Sequence, residues 1–219
     1  MDIFEAIQNR HSVRSYLDTP IPEDTAETLR ACIADVNQES GLHFALFTQE
    51  CTGFAGKLKN VRNYIAFAGG GENLEERIGY YGAKLMLEAQ MLGLNSCWVA
   101  MSFHKGAVTK RMPLREGEKV VNALALGYGQ TQGTPHRTKP MEKLCRCDGP
   151  MPDWFRKGME TVMLAPTAIN QQQFLFTLAD GRVSARAKLG PCSQIDLGIV
   201  KYYFELGSGR KVFSPEKNF

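Results

Sequence analysis

The sequence predicts an α+β fold, and three observations carry that reading. Helix patterns of 3.6-residue period alternate irregularly with short apolar runs of strand length. Two late runs flank Asp180-Gly181, a hairpin signal. A helix followed by an aromatic strand occurs early and recurs late, which suggests two degenerate half-repeats. At 219 residues and 43% hydrophobic content the chain can bury one substantial core or two small ones.

The elements follow in chain order. Asp2 caps a first helix and Glu5 completes a capping box, with Ile3, Phe4 and Ile7 expected on its inner face. Pro20-Ile21-Pro22 sets up a second helix, whose inner face is Leu29, Cys32, Ile33 and Val36 and which ends near Gly41. Strands are expected over 43–48 and 63–68, the latter closed by Gly69-Gly70-Gly71, which lacks the Gly-Lys-Ser/Thr ending of a nucleotide cradle. From Glu76 to Leu92 runs a helix apolar on most sides, with Ile78, Tyr81, Leu85, Met86 and Ala89 inward, so it is buried. Tyr80, Tyr81 and Trp98 read as core rather than as an acceptor pocket. Strands over 97–100 and 120–126 precede a polar loop that holds Arg137-Thr138-Lys139. After Pro150-Met151-Pro152 come a helix from Asp153 to Ala165-Pro166, strands over 173–178 and 183–188, and a last helix over 194–206. In the repeat reading, Asp24 to Phe47 corresponds to Asp153 to Phe176, and the Gly82/Gly93 pair to Gly198/Gly209. The domains are accordingly set at 1–149 and 150–219.

Several function classes are disfavoured by composition. A net charge of +3 is no argument for nucleic acid, and no aromatics are interleaved with the cations. The opening Met1-Asp2-Ile3-Phe4-Glu5 is acidic where a signal peptide is basic, and no apolar run reaches the ~18 residues of a membrane span, so a cytoplasmic address is expected. Six cysteines are scattered through the chain, Cys145 and Cys147 being the one close pair, and no metal site is expected. The histidines (His11, His43, His104, His136) form no catalytic triad with any nucleophile.

The stretch that carries chemistry is Arg10-His11-Ser12-Val13-Arg14. In an extended chain Arg10, Ser12 and Arg14 point the same way, so their donors converge on one anion and read as a phosphate grip. Together with Gly93-Leu94-Asn95-Ser96-Cys97-Trp98, Leu126-Gly127-Tyr128-Gly129, Arg137-x-Lys139 and Ala165-Pro166-Thr167-Ala168-Ile169-Asn170-Gln171-Gln172, it resembles the FMN-dependent nitroreductase family. The Ala-Pro-Thr-x-x-Asn-x-Gln element stands in the second half here, whereas typical members carry it soon after the basic motif and share the flavin between two subunits. The chain therefore looks like the nitroreductases in which two shortened repeats form a pseudo-dimer, and further homodimerisation stays open. Gln173-Phe174 replaces the usual Pro-Trp.

The resemblance implies an α/β/α sandwich around a mixed, mainly antiparallel sheet, with one flavin site, since Leu189-Gly190-Pro191 and the last helix bring no second basic motif. It implies FMN as cofactor, NADH or NADPH as co-substrate, and a small organic acceptor served in ping-pong fashion. Arg10, Ser12, Arg137 and Lys139 would take the phosphate. His11 and Arg14 would take the ribityl chain and pyrimidine edge, with Arg14 stabilising the reduced ring. Thr167, Ala168, Asn170 and Gln172 would approach the ring from the other half, Val99 and Ala100 would wall it, and Met101 would reshape the pocket. The alternative is a flavin-binding protein without reductase turnover.

Overall fold

The computed structural model describes residues 1–50, 54, 58–100 and 102–213; Cys51 and Met101 lie outside the described residues. The chain divides into two compact units. One comprises Met1–Leu74 and Lys84–Pro135, the other Glu75–Ala83 and the chain from His136 onward. Residues 136–148 bond within the second unit. His136 Nε2 and Thr138 Oγ1 both reach Met163 O, at 3.0 and 3.3 Å.

In the first unit, α1 (Ile3–Asn9) starts as expected: Asp2 Oδ1 accepts from the Phe4 and Glu5 N–H groups, and Glu5 Oε2 accepts from Asp2 N. Its buried residues are Ala6 and Ile7, and Phe4 is 52% exposed, which corrects the expected inner face. At 3.6 residues per turn, Ile3, Ala6, Ile7 and Arg10 cluster about one direction and Phe4 points about 100° away from Ile3. Helix α2 (Glu23–Ser40) buries Ala26, Leu29, Ile33 and Val36 and ends on Gly41, whose φ of 69° closes a left-handed cap. The Asn37 amide exchanges two 2.9 Å hydrogen bonds with the Phe44 backbone and so ties α2 to β1 (His43–Phe47).

Strands β1, β2 (Asn63–Gly69), β3 (Asn95–Val99) and β4 (Lys119–Gly127) form an antiparallel sheet in the order β1-β2-β4-β3. Every residue of β2 is buried. One face of this sheet packs Tyr64, Ala66, Ala123 and Ala125 with Val13, Tyr16 and Phe103. Helix α3 (Leu74–Met91) is buried over most of its length, as its sequence requires, and its first half belongs by contact to the second unit. The short α4 (Lys105–Thr109) was not apparent in the sequence, where only Val108 offers it a buried anchor.

In the second unit, β5 (Cys145–Cys147), β6 (Phe174–Ala179) and β7 (Arg182–Ala187) form a sheet in that order, β5 parallel and β7 antiparallel to β6. Asp180 and Gly181 join β6 to β7 with φ of 50° and 71°, the left-handed pair that a two-residue hairpin needs. The Cys145-Arg146-Cys147 pair is thus a strand. Burial pushes both thiols up, Cys145 to about 11, which suits packing rather than redox cycling. Helices α5 (Asp153–Val162) and α6 (Ser193–Ser208) pack through Phe155 and Phe204, ring centres 5.3 Å apart, and Phe204 stacks on Phe176 at 5.0 Å.

Candidate functional site

Past Arg10, which caps α1 at φ −72° and ψ 117°, the chain runs extended between three neighbours. Ser12 bridges Ser96 of β3, and Val13 N donates to Ser96 O at 3.0 Å. Lys59 N donates to Arg14 O at 2.8 Å, and Gln130 N to Ser15 O at 2.9 Å. Buried Val13 and Tyr16 anchor the strip, the Tyr16 hydroxyl donating to Val13 O at 2.7 Å. Asn95 pins the loop above it, accepting from Gly129 N and donating to Gln132 Oε1, both at 2.9 Å. At Gly133 a Cβ would come within 2.8 Å of His11 Cβ, so a side chain there would displace the motif.

Arg10, Ser12 and Arg14 all act electrostatically on the Cys97 thiol of β3. Burial pushes that thiol up, while Arg14, Arg10 and a hydrogen bond from Ser12 pull it down. The sequence marks Cys97 only as a strand residue, since nothing in its spacing says which loop crosses it. Val99 is buried at the end of β3 and Ala100 follows it, half-buried. Arg10 is 3% exposed and its Nε is buried without a partner, as is Ser96 Oγ beside Ser12. Among the described residues no carboxylate pairs with Arg10, Arg14, Arg137 or Lys139. A buried guanidinium with an idle N–H and no counter-ion is costly by itself and suits an anionic ligand, so the residues present fit the phosphate of FMN.

In the second unit Arg137, Lys139 and the 167–172 segment form one braced assembly. Arg137 O accepts from Asn170 Nδ2 at 2.8 Å and Gln172 Nε2 at 2.9 Å. Lys139 N donates to Gln172 Oε1 at 2.8 Å, and Lys139 Nζ to Gln171 O at 2.6 Å. Thr167 Oγ1 accepts from Gln172 N at 3.1 Å. Ile169, Asn170 and Gln172 all have positive φ, 47°, 56° and 46°, a strain that these bonds hold in place. The Asn170 and Gln172 amides thus position the basic loop, a role their spacing does not reveal. Asp196, which sequence reasoning missed, anchors the turn from α6: Oδ1 accepts from Ala168 N at 2.9 Å and Oδ2 from Gln171 Nε2 at 2.8 Å.

A family model described as "Putative TM nitroreductase" matches residues 2–208. The chain belongs to this nitroreductase family. Among solved structures, a putative nitroreductase from Thermotoga maritima is similar at TM-score 0.70 and 23% identity, over 99% of this chain and 87% of that one. A putative NADH dehydrogenase/NAD(P)H nitroreductase from Parabacteroides distasonis is similar at 0.51 and 23%, over 65% and 95%. A nitroreductase family protein from Streptococcus pneumoniae gives 0.52 and 14%, over 65% and 98%. At these identities the likeness is one of fold, and it agrees with the expected α+β nitroreductase class. No curated protein matches the sequence significantly. Among the described residues no helix is long and apolar enough to cross a membrane, and no three His, Cys, Asp or Glu side chains group as metal ligands.

Asp196 gives the 167–172 turn a pH dependence. Burial raises its carboxyl from 3.8 to about 6, against the pull of the Gln171 and Ala168 donors. The folded chain therefore binds its proton more tightly than the unfolded one. The stability this contributes is fully present below pH ~4 and is lost as pH rises through about 6. In urea titrations the stability of Asp196→Asn relative to wild type is expected to improve between pH 4.5 and 7.5, by on the order of 2 kcal/mol. A pH-independent difference would contradict the assignment.

Proposed function

We propose that this nitroreductase-family chain is an FMN-dependent oxidoreductase that takes a hydride from NADH or NADPH and passes it to a small organic acceptor in a ping-pong sequence. Arg10 beside Ser12, buried with its Nε unpartnered and with no carboxylate pairing with it among the described residues, carries the reading. When bound, FMN supplies the redox chemistry, accepting and returning the hydride at its ring. The protein's part is to bind and tune. Arg10 and Ser12 offer charge-assisted donors to the phosphate, and Arg137 and Lys139 add positive charge from the loop that Asn170 and Gln172 hold rigid. His11 is assigned to the ribityl chain and Arg14 to the pyrimidine edge. Val99 and Ala100 are assigned as a wall, and Thr167 and Ala168 lie in the turn that Asp196 anchors. No protein nucleophile is needed. The proposal includes the pseudo-dimer, with both motifs of one flavin site in a single chain, and a cytoplasmic address, which the thiols of Cys32, Cys97, Cys145 and Cys147, free among the described residues, support.

The test is an absorbance spectrum of the purified protein. A yellow chromophore near one per chain in a monomeric fraction, bleached by NADH or NADPH and restored by an oxidant, is expected. A chromophore that neither nicotinamide bleaches would favour storage or sensing over turnover. Arg14 gives a finer test: Arg14→Ala should still bind oxidised FMN, yet reduce more slowly. If the guanidinium favours the reduced ring by ~1.4 kcal/mol, the midpoint potential falls by about 30 mV in the variant. An unchanged potential in flavin-loaded Arg14→Ala would remove Arg14 from the ring.

A further inference from the structure

A second Arg-x-Ser-x-Arg, Arg182-Val183-Ser184-Ala185-Arg186, lies in β7, outside every segment that the flavin reading uses. Strand alternation sends its first, third and fifth side chains to one face, and all three are exposed while Val183 and Ala185 are half-buried. Across the sheet Ser184 is in register with Thr177, and Thr177 with Arg146 of β5, which puts exposed Arg146 on the same face. Lys188 continues the run past Arg186, held by Lys188 N donating to Gln173 O at 2.8 Å. Among the described residues none of Arg146, Arg182, Arg186 and Lys188 pairs with a carboxylate, although Asp148 and Asp180 are close in sequence. Charge on an edge strand guards against unwanted pairing, but either sign serves that purpose. Gathering one sign on one face is unfavourable unless an anion joins it.

Resting on the oxidoreductase reading, we infer that this face of β7 and β5 binds the phosphates of the nicotinamide co-substrate and selects NADPH over NADH. The spacing points to more than one phosphate. Residues two apart on a strand lie about 6.8 Å apart, so Arg182 and Arg186 are ~13 Å apart, too far to chelate a single phosphate from above. NADPH carries a diphosphate bridge and a separate 2′-phosphate on its adenosine, whereas NADH carries the bridge alone. Lys139, assigned above to the flavin, joins this cluster at the Lys188 end. Burial holds the Lys188 ammonium below its usual value, and the cations of Lys139, Arg186 and Arg146 add to that effect, a crowding that a bound phosphate relieves.

The experiment titrates the purified chain with adenosine 2′,5′-bisphosphate and with 5′-AMP by calorimetry at low ionic strength. FMN affinity is measured in parallel, for wild type and for Arg182→Gln/Arg186→Gln. Both arginines are exposed, so the double variant is expected to fold; circular dichroism checks this, and Arg182→Lys/Arg186→Lys should restore part of the binding. The bisphosphate is expected to bind wild type roughly tenfold tighter than 5′-AMP, and the double Gln variant should lose that preference with FMN affinity unchanged. Equal binding of the two nucleotides by wild type, or a preference that survives in the variant, overturns the inference. Loss of FMN instead of the bisphosphate also overturns it, by assigning the arginines to the flavin. A chain that binds no FMN at all would defeat the oxidoreductase reading alone, because the bisphosphate titration needs no flavin.

Discussion

Arg10→Ala is expected to weaken FMN by roughly thirtyfold or more while changing riboflavin affinity by no more than about threefold. The two ligands differ only in the phosphate, and what Arg10 offers is charge. Its side chain is buried, its Nε has no partner, and no described carboxylate pairs with it. A guanidinium so placed is strong for an anion because little water competes. The same facts predict an inverse effect on the protein without ligand. Arg10→Met keeps the aliphatic volume beside Ala6 and Ile7 and removes an uncompensated buried charge. It should leave the flavin-free chain as stable as wild type, or more stable by on the order of 1 kcal/mol. Fluorescence titrations of FMN and riboflavin, with thermal melts of the flavin-free variants, check both halves. Equal losses for the two flavins would remove Arg10 from the phosphate.

Local chemistry made much of the fold legible. The Asp2/Glu5 capping box, the left-handed cap at Gly41 and the Asp180-Gly181 hairpin each follow from a few adjacent residues, and each is present. Gly93 and Gly209 also follow helix ends at positive φ. The misses are of another kind. Phe4 is as apolar as Ile7, but a seven-residue helix buries one narrow face, and the partner that decides which face is remote in sequence. The Cys145-Arg146-Cys147 strand is three residues long and exists because β6 pairs with it, a fact no periodicity can hold.

The candidate site divides in the same way. Alternation of Arg10, Ser12 and Arg14 was readable, since an extended strip of chain implies it. Their common effect on Cys97 is not, because it depends on Ser12 pairing with Ser96 across more than eighty residues of chain. Asp196 gave no signal, since a carboxylate in a helix's first turn is ordinary until its burial and its two donors are known. The Arg182-Val183-Ser184-Ala185-Arg186 motif is legible in the sequence, but its place in a hairpin strand gives its alternating cations an ordinary solvent-facing explanation until Arg146 is seen beside them.

Gly198→Ala is expected to destabilise the chain by at least about 3 kcal/mol, toward the upper end of what overpacking costs. A Cβ on Gly198 would run into Glu76 O and come within 2.6 Å of Tyr80 N. On the opposite helix a Cβ on Gly79 would run into Ile195 O and lie 3.1 Å from Gly198 Cα. The backbones of α3 and α6 therefore touch at these two glycines, and a backbone cannot rotate aside as a side chain does. The crossing also sets the bonds around it, Tyr80 OH to Glu205 Oε2 at 2.6 Å and Lys201 Nζ to Glu76 Oε1 at 2.5 Å, so forcing the helices apart strains both. Intrinsic helix propensity argues the other way, since Ala is favoured over Gly by ~1 kcal/mol inside a helix. Gly106 in α4 separates the two effects: nothing lies within 4 Å of its Cβ position, so Gly106→Ala should be neutral or mildly stabilising. Urea unfolding of the two variants should thus move in opposite directions. Adding Gly79→Ala to Gly198→Ala should cost less than the sum of the single losses, because once one methyl has separated the helices the other meets less resistance. Full additivity, or a Gly198→Ala chain as stable as wild type, would show that the helices do not meet backbone to backbone there.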